Sequence, residues 1–209
     1  GVVIETPLQF NQRLSAATGA QVWLKREDLQ PVRSYKLRGA YNLIAQLSDA
    51  ERAAGVACAS AGNHGQGVAY ACARLGIRAQ IFVPSTTPRQ KRQRMRQLGE
   101  GWAELIVHGD TYDDAAALAH EVVASEGRTL VPAFDDERTI AGQGTVAAEI
   151  VAQLGRAPDT LIVPVGGGGM IAGCMTWLAE RHPGTKVVGA EPSGAASMAI
   201  ALEAGRPRD

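Results

Sequence analysis

One lysine and two glycine-rich turns carry the residue types that could do chemistry. Lys36 lies within Ser34-Tyr35-Lys36-Leu37-Arg38-Gly39. After it, Leu37, Ala40, Tyr41, Ile44 and Leu47 recur at helical spacing and predict a helix with one buried face. Ser34 is the expected N-cap of that helix. The start of a helix carries partial positive charge, so an ammonium is disfavoured there. Two readings follow. The lysine is solvated on the surface, as most are, or its charge is suppressed so that the neutral amine can form a Schiff base with an aldehyde.

Gly166-Gly167-Gly168-Gly169 follows an apolar strand and precedes a helix. Consecutive backbone N–H groups without side chains can close around an anion, and the helix start adds its field. No GK[ST] follows, so the loop is not a Walker A motif. Gly167, Gly169 and Ala172 partly match a dinucleotide fingerprint, with Glu191 placed where a ribose-binding acid would sit. A nicotinamide-dependent oxidoreductase is therefore the rival reading.

Ser60-Ala61-Gly62-Asn63-His64-Gly65-Gln66-Gly67 also joins a strand to a helix. Asn63 is a candidate N-cap and equally an amide donor at the carboxyl edge of a sheet, where open α/β folds bind ligands. The neighbouring N–H groups could hold a carboxylate. For His64, a structural role is preferred over that of general base, because its neighbours form a binding turn.

These three places need elements to hold them. Apolar runs at 22–27, 55–60, 78–84, 104–109, 129–134, 160–165 and 186–191 predict strands. Helical patterns separate most of them, from about 36, 64, 88, 112 and 140, and after the four glycines. Strands alternating with amphipathic helices predict an α/β fold with mainly parallel sheets. The basic run 88–99 has no interleaved aromatic residue and is expected to be a solvated helix face.

Composition narrows the function. The chain has 209 residues with 21 basic and 21 acidic side chains, so no net charge calls for nucleic acid or an anionic membrane. No apolar run is long enough to span a bilayer and no signal peptide is evident. Cys58, Cys72 and Cys174 are far apart, form no CxxC or CxxH pair, and are expected to be buried apolar residues of a cytoplasmic protein. The chain has no initiator Met and ends in the loop-like EAGRPRD. It is expected to be C-terminally truncated.

Lys25-Arg26-Glu27-Asp28-Leu29-Gln30 running into Ser34–Ala40, then Ser60–Gly67, then Val165 with the four glycines, resembles the fold type II pyridoxal phosphate enzymes. The resemblance is to the threonine dehydratase (threonine ammonia-lyase) and serine dehydratase–racemase group. Phe134-Asp135-Asp136 with Ile140–Thr145 is similar to the dehydratase pattern. The resemblance implies two open, mainly parallel-sheet βα domains, tryptophan synthase β-like. A larger cofactor domain would take 1–50 and 136–209, and a smaller inserted domain 51–135. It further implies that Lys36 carries pyridoxal 5'-phosphate and moves protons at Cα, that Tyr35 sits beside the pyridine ring, and that Asn63 bonds its phenolic oxygen. Gly166, Gly167, Gly168, Gly169 and Met170 would hold the phosphate. Ser60, Gly62, Asn63 and His64 would surround the carboxylate of an amino-acid substrate. Racemase-type members carry a serine where this chain has Ala61, which cannot transfer a proton, so elimination is favoured over racemisation. Some members bind a divalent metal through the positions of Glu191 and Ser197, and serine at the latter argues against a metal here. The implied activity is β-elimination of L-threonine to 2-oxobutanoate and ammonia, in isoleucine biosynthesis, by a homo-oligomer. L-Serine is the alternative substrate of the same chemistry.

Overall fold

The computed structural model describes residues 1–206. The chain begins with strand β1 (Leu8–Phe10), helix α1 (Gln12–Thr18) and strand β2 (Trp23–Lys25). Helices α2 (Lys36–Ala45) and α3 (Asp49–Ala54) follow. A run of alternation comes next: β3 (Val56–Ala59), α4 (Asn63–Leu75), β4 (Ala79–Val83), α5 (Arg89–Gly99), β5 (Ala103–Val107), α6 (Tyr112–Glu126) and β6 (Thr129–Leu130). The last part holds α7 (Glu137–Leu154), β7 (Thr160–Pro164), α8 (Gly169–Arg181), β8 (Lys186–Ala190) and α9 (Ser197–Ala204). Among the described residues, no helix is long and apolar enough to cross a membrane.

Two compact units share these elements. The first comprises Gly1–Thr6 and Glu27–Ala133, the second Pro7–Arg26 and Phe134–Asp209. The first is built on a parallel sheet ordered β5-β4-β3-β6. Its inner strands β3 and β4 are buried almost throughout, so they read as unbroken apolar runs rather than as alternation. Leu37, Leu43 and Ile44 of α2 share one core cluster with Val68, Ala69 and Cys72 of α4 and Ile81 and Val83 of β4. Helix α2 therefore belongs with this unit. The expected division put 1–50 with the C-terminal part, but the apolar face of α2 packs against α4, and residues 27–50 follow it.

In the second unit, β7 and β8 pair in parallel, with Ile162 of β7 set against Val188. The expected strand at 22–27 forms only as Trp23–Lys25 and pairs antiparallel with β1. This short ribbon is held to α7 by Lys25, whose Nζ reaches Glu149 at 2.6 Å and donates to Gln153 Oε1 at 2.9 Å. Helices α7 and α8 approach closely: a Cβ on Gly144 would lie 2.7 Å from the Gly173 carbonyl oxygen, and one on Gly173 would overlap the Ile140 carbonyl. Helix α5 buries only Met95, Leu98 and Gly99, leaving its basic residues largely at the surface. All three cysteines are buried with free thiols.

Candidate active site

Lys36 is the first residue of α2, and its surroundings depart from the sequence expectation at Ser34. The N-cap position is Tyr35, already helical at φ −64° and ψ −17°, with no side-chain cap. Ser34 lies one residue too early to reach the first turn, and its buried Oγ has no hydrogen-bond partner. Just before it, Arg33 turns the chain in the left-handed region, at φ 62°, with its N–H donating to Gln30 O at 2.8 Å. Two residues beyond Lys36, Arg38 is 3% exposed and makes a two-pronged ion pair with Glu27, both contacts at 2.7 Å. Thr6 Oγ1 donates to the same carboxylate at 2.5 Å. The first turn of α2 is thus fixed by Leu37 in the core and Arg38 in a buried polar network.

That anchoring sets the amine of Lys36. Its Nζ donates to the Ala133 carbonyl at 2.7 Å and lies 5.4 Å from the Tyr35 ring centroid. Burial holds its pKa below the ordinary lysine value. A half-buried amine beside a helix start gives up its proton more readily than a solvated lysine does.

The second turn is built differently from expectation at Asn63. The cap position of α4 is Gly62, and Asn63 is the first helical residue, exposed and not capping. Ser60 instead shapes the turn, its Oγ accepting from Gly62 N at 3.2 Å. The N–H groups of Asn63, His64 and Gly65 precede the first intrahelical acceptor distance and are the donors a helix start offers to an anion. Two glycines here serve packing. A Cβ on Gly65 would sit 2.7 Å from Ser60 O, and one on Gly67 would press on the Lys36–Leu37 backbone at 3.2 Å. The glycines of this motif therefore seat α4 directly on the residues that carry the amine.

His64 points inward. Its Nε2 lies 2.7 Å from Val131 O, and its Nδ1 is buried with no partner. Burial lowers its pKa to about 4, with the Lys36 charge acting the same way and the Val131 hydrogen bond opposing. Its side chain is spent on Val131, which leaves its backbone N–H as the part available to a carboxylate.

In the second unit the four glycines are distinct in what they permit. Gly168 caps α8 in the left-handed region at φ 84°. A Cβ on Gly167 would overlap the Phe134 ring, and one on Gly169 would meet Phe134 O at 2.9 Å. A Cβ on Gly166 would meet nothing within 4 Å, so neighbouring atoms do not demand that glycine. From Gly166 to Gly169 the backbone carries no side chains of its own, and with Met170 it runs into the first turn of α8, where N–H groups lack intrahelical acceptors. Phe134 floors this loop; sequence reasoning had it only as part of a family pattern. The Ala133 and Val131 carbonyls were missed altogether, since a backbone acceptor leaves no mark in residue types.

Glu191, the candidate ribose acid or metal ligand, has another task. Its two carboxylate oxygens accept from Met198 N and Ala199 N, each at 2.9 Å, and so cap α9. Among the described residues, no group of three or more His, Cys, Asp or Glu is arranged to hold a metal ion.

A partly buried lysine amine is a group that can bond an aldehyde, and a glycine loop at a helix start is a group that can hold a phosphate. All of the chain, residues 1–209, matches the pyridoxal-phosphate dependent enzyme family, and the protein belongs to it. The dinucleotide reading is thereby set aside. Among curated relatives, the biosynthetic L-threonine dehydratase IlvA of Mycobacterium tuberculosis is 63% identical over 206 residues, covering 99% of this chain and 48% of the relative. The protein of the same name from Bacillus subtilis is 50% identical over 204 residues, covering 98% of this chain and again 48% of the relative. The chain thus spans about half the length of the curated relatives it matches. Among solved structures, the processed form of threonine deaminase isoform 2 from Solanum lycopersicum superposes with a TM-score of 0.94 at 45% identity, covering 99% of this chain and 59% of that one. Maize serine racemase superposes at 0.93 with 32% identity, covering 99% and 61%.

Proposed function

We propose that the whole protein eliminates water from L-threonine, releasing 2-oxobutanoate and ammonia, as a biosynthetic enzyme of isoleucine formation. The observation that carries the reading is Lys36: a partly buried amine, its pKa lowered by burial, donating to the Ala133 carbonyl in a chain of this family. The names of the curated relatives support the substrate.

When bound, the cofactor supplies an aldehyde for covalent linkage to an amine and a ring that takes up the electron pair left at Cα. In this proposal Lys36 Nζ is the linking amine and afterwards takes the Cα proton of the substrate. Burial lowers its pKa, which makes the lone pair easier to free for that transfer. Ser60 Oγ and the N–H groups of Asn63 and His64, with Gly62 between them, would surround the substrate carboxylate, and the Asn63 amide would donate to the phenolic oxygen of the ring. Tyr35 would flank the ring, and the N–H groups of Gly166, Gly167, Gly168, Gly169 and Met170 would hold the phosphate. Holding the substrate carboxylate at the turn that packs on Lys36 would orient the Cα–H bond toward its amine. The β-hydroxyl departs as water, the proton it gains balancing the one Lys36 takes from Cα, and the released enamine takes up water to give 2-oxobutanoate and ammonia.

L-Serine is the second substrate reading, supported by the likeness to serine racemase. One methyl group separates the two substrates by only about 1–3 kcal/mol. Ala61 has no proton to give, which favours elimination over inversion for either. A cytoplasmic homo-oligomer is part of the same proposal.

The test is keto-acid release by the full-length protein supplied with pyridoxal phosphate, from L-threonine and L-serine in parallel, together with Lys36→Ala. Faster release from threonine and loss of turnover in the variant are expected. Cofactor uptake without release of keto acid from either substrate would refute elimination.

A further inference from the structure

Two side chains of the first unit end on one short stretch of backbone. Lys36 Nζ donates to Ala133 O at 2.7 Å, and His64 Nε2 lies 2.7 Å from Val131 O. Val131 and Ala133 flank Pro132, just past the two residues of β6, and Val131 N still donates to Ala57 O of β3 at 2.9 Å. Pro132 has no N–H to give to a neighbouring strand. His64 adds a side-chain bond to this segment. A carbonyl can only accept, so Nε2 carries the proton and Nδ1 holds the lone pair. His64 is 4% exposed, so water competes little for that bond.

We propose that His64 is a positioning residue for Lys36: by gripping the Val131 carbonyl, its side chain fixes the 131–133 segment, and with it the Ala133 carbonyl that receives the lysine amine. The substrate carboxylate takes no bond from the imidazole. This inference rests on Lys36 being the cofactor lysine. Its geometry makes a sharp demand on replacements. A glutamine amide nitrogen reaches about as far as Nε2, whereas an asparagine amide nitrogen reaches only about as far as Nδ1. Glutamine should therefore restore the grip and asparagine should not.

The experiment uses the full-length protein with His64→Gln, His64→Asn and His64→Ala. Three quantities are read: the rate at which cofactor-free protein captures pyridoxal phosphate, the lysine tagged by borohydride reduction, and kcat and KM for L-threonine. Misplacing a reacting group by an ångström can cost about a hundredfold, so His64→Asn and His64→Ala should slow capture and lower kcat by about tenfold or more. KM should stay within about threefold, and His64→Gln should recover most of the capture rate and kcat that His64→Ala loses. A rise in KM with kcat and capture unchanged would show a carboxylate contact instead and overturn the proposal. So would His64→Gln falling as far as His64→Ala, or all three variants behaving like the parent. Reduction onto a lysine other than Lys36 is a separate outcome: it removes the assignment of Lys36 itself and this inference with it.

Discussion

Acidification should unfold this protein partly through one imidazole. His64 is buried and neutral, with its pKa lowered from 6.5 to about 4 by burial first, with the Lys36 charge adding to the shift. In the unfolded chain it is an ordinary histidine. Its folded pKa lies below its unfolded pKa, so between the two the unfolded state binds the extra proton. Its contribution is then complete above about pH 6.5 and is lost as pH falls toward about 4. Going from about pH 7.5 to about pH 5 should remove roughly 2 kcal/mol through this residue. Carboxylates titrate mostly below that range, and His64→Gln supplies the control for the remainder. The assay is urea unfolding of parent and variant at the two pH values, alongside an NMR titration of the imidazole. The parent should lose about 2 kcal/mol more than the variant across the interval. Equal losses in the two proteins, or an imidazole that titrates near its ordinary value, would refute the reasoning.

Three more outcomes can be measured on the same preparation. Gly65→Ala should lower stability by about 1–3 kcal/mol in urea unfolding, because the new Cβ would stand 2.7 Å from the Ser60 carbonyl oxygen. Arg38→Met should cost about 3–5 kcal/mol by leaving Glu27 buried without its guanidinium, while a joint change of Arg38 and Glu27 to apolar residues should recover much of that loss. Asp136→Ala should cost about 1 kcal/mol, since Asp136 Oδ1 accepts from Arg138 N at 2.8 Å and Thr139 N at 3.2 Å at the start of α7; hydrogen exchange confined to that first turn should report it.

Much of this was legible in the residues because strands and helices differ in period. The runs at 55–60, 78–84 and 104–109 became β3, β4 and β5, and the helices between them start and stop within a few residues of expectation. The run at 129–134 became a two-residue strand, since Pro132 cannot extend the ladder. Helix α1 gave no periodic signal because it buries no residue, although Asn11 capping Leu14 N and Gly19 at φ 71° punctuate it clearly. Helix α3 was too short to show a period and announced itself only through its Ser48–Glu51 capping box. At the site, residue types marked Lys36 and the glycines. They did not mark what holds the lysine, because its acceptor is a main-chain carbonyl 97 positions away. They also misplaced both caps, since Ser34 and Asn63 have the right chemistry one residue away from where the backbone enters the helix.

The bond from Glu191 to the start of α9 makes the stretch between them a loop of fixed length. Both carboxylate oxygens are engaged, to consecutive N–H groups seven and eight positions on. Adding or deleting a residue in 192–196 would rotate α9 by about 100° per residue and pull those N–H groups off their acceptors. Met198, whose Cε would lie 2.7 Å from a Cβ on Gly168, would leave the glycine loop in the same motion. Insertions in homologous sequences are therefore expected to accumulate in the turn after α7, around residues 155–159, and to avoid this one.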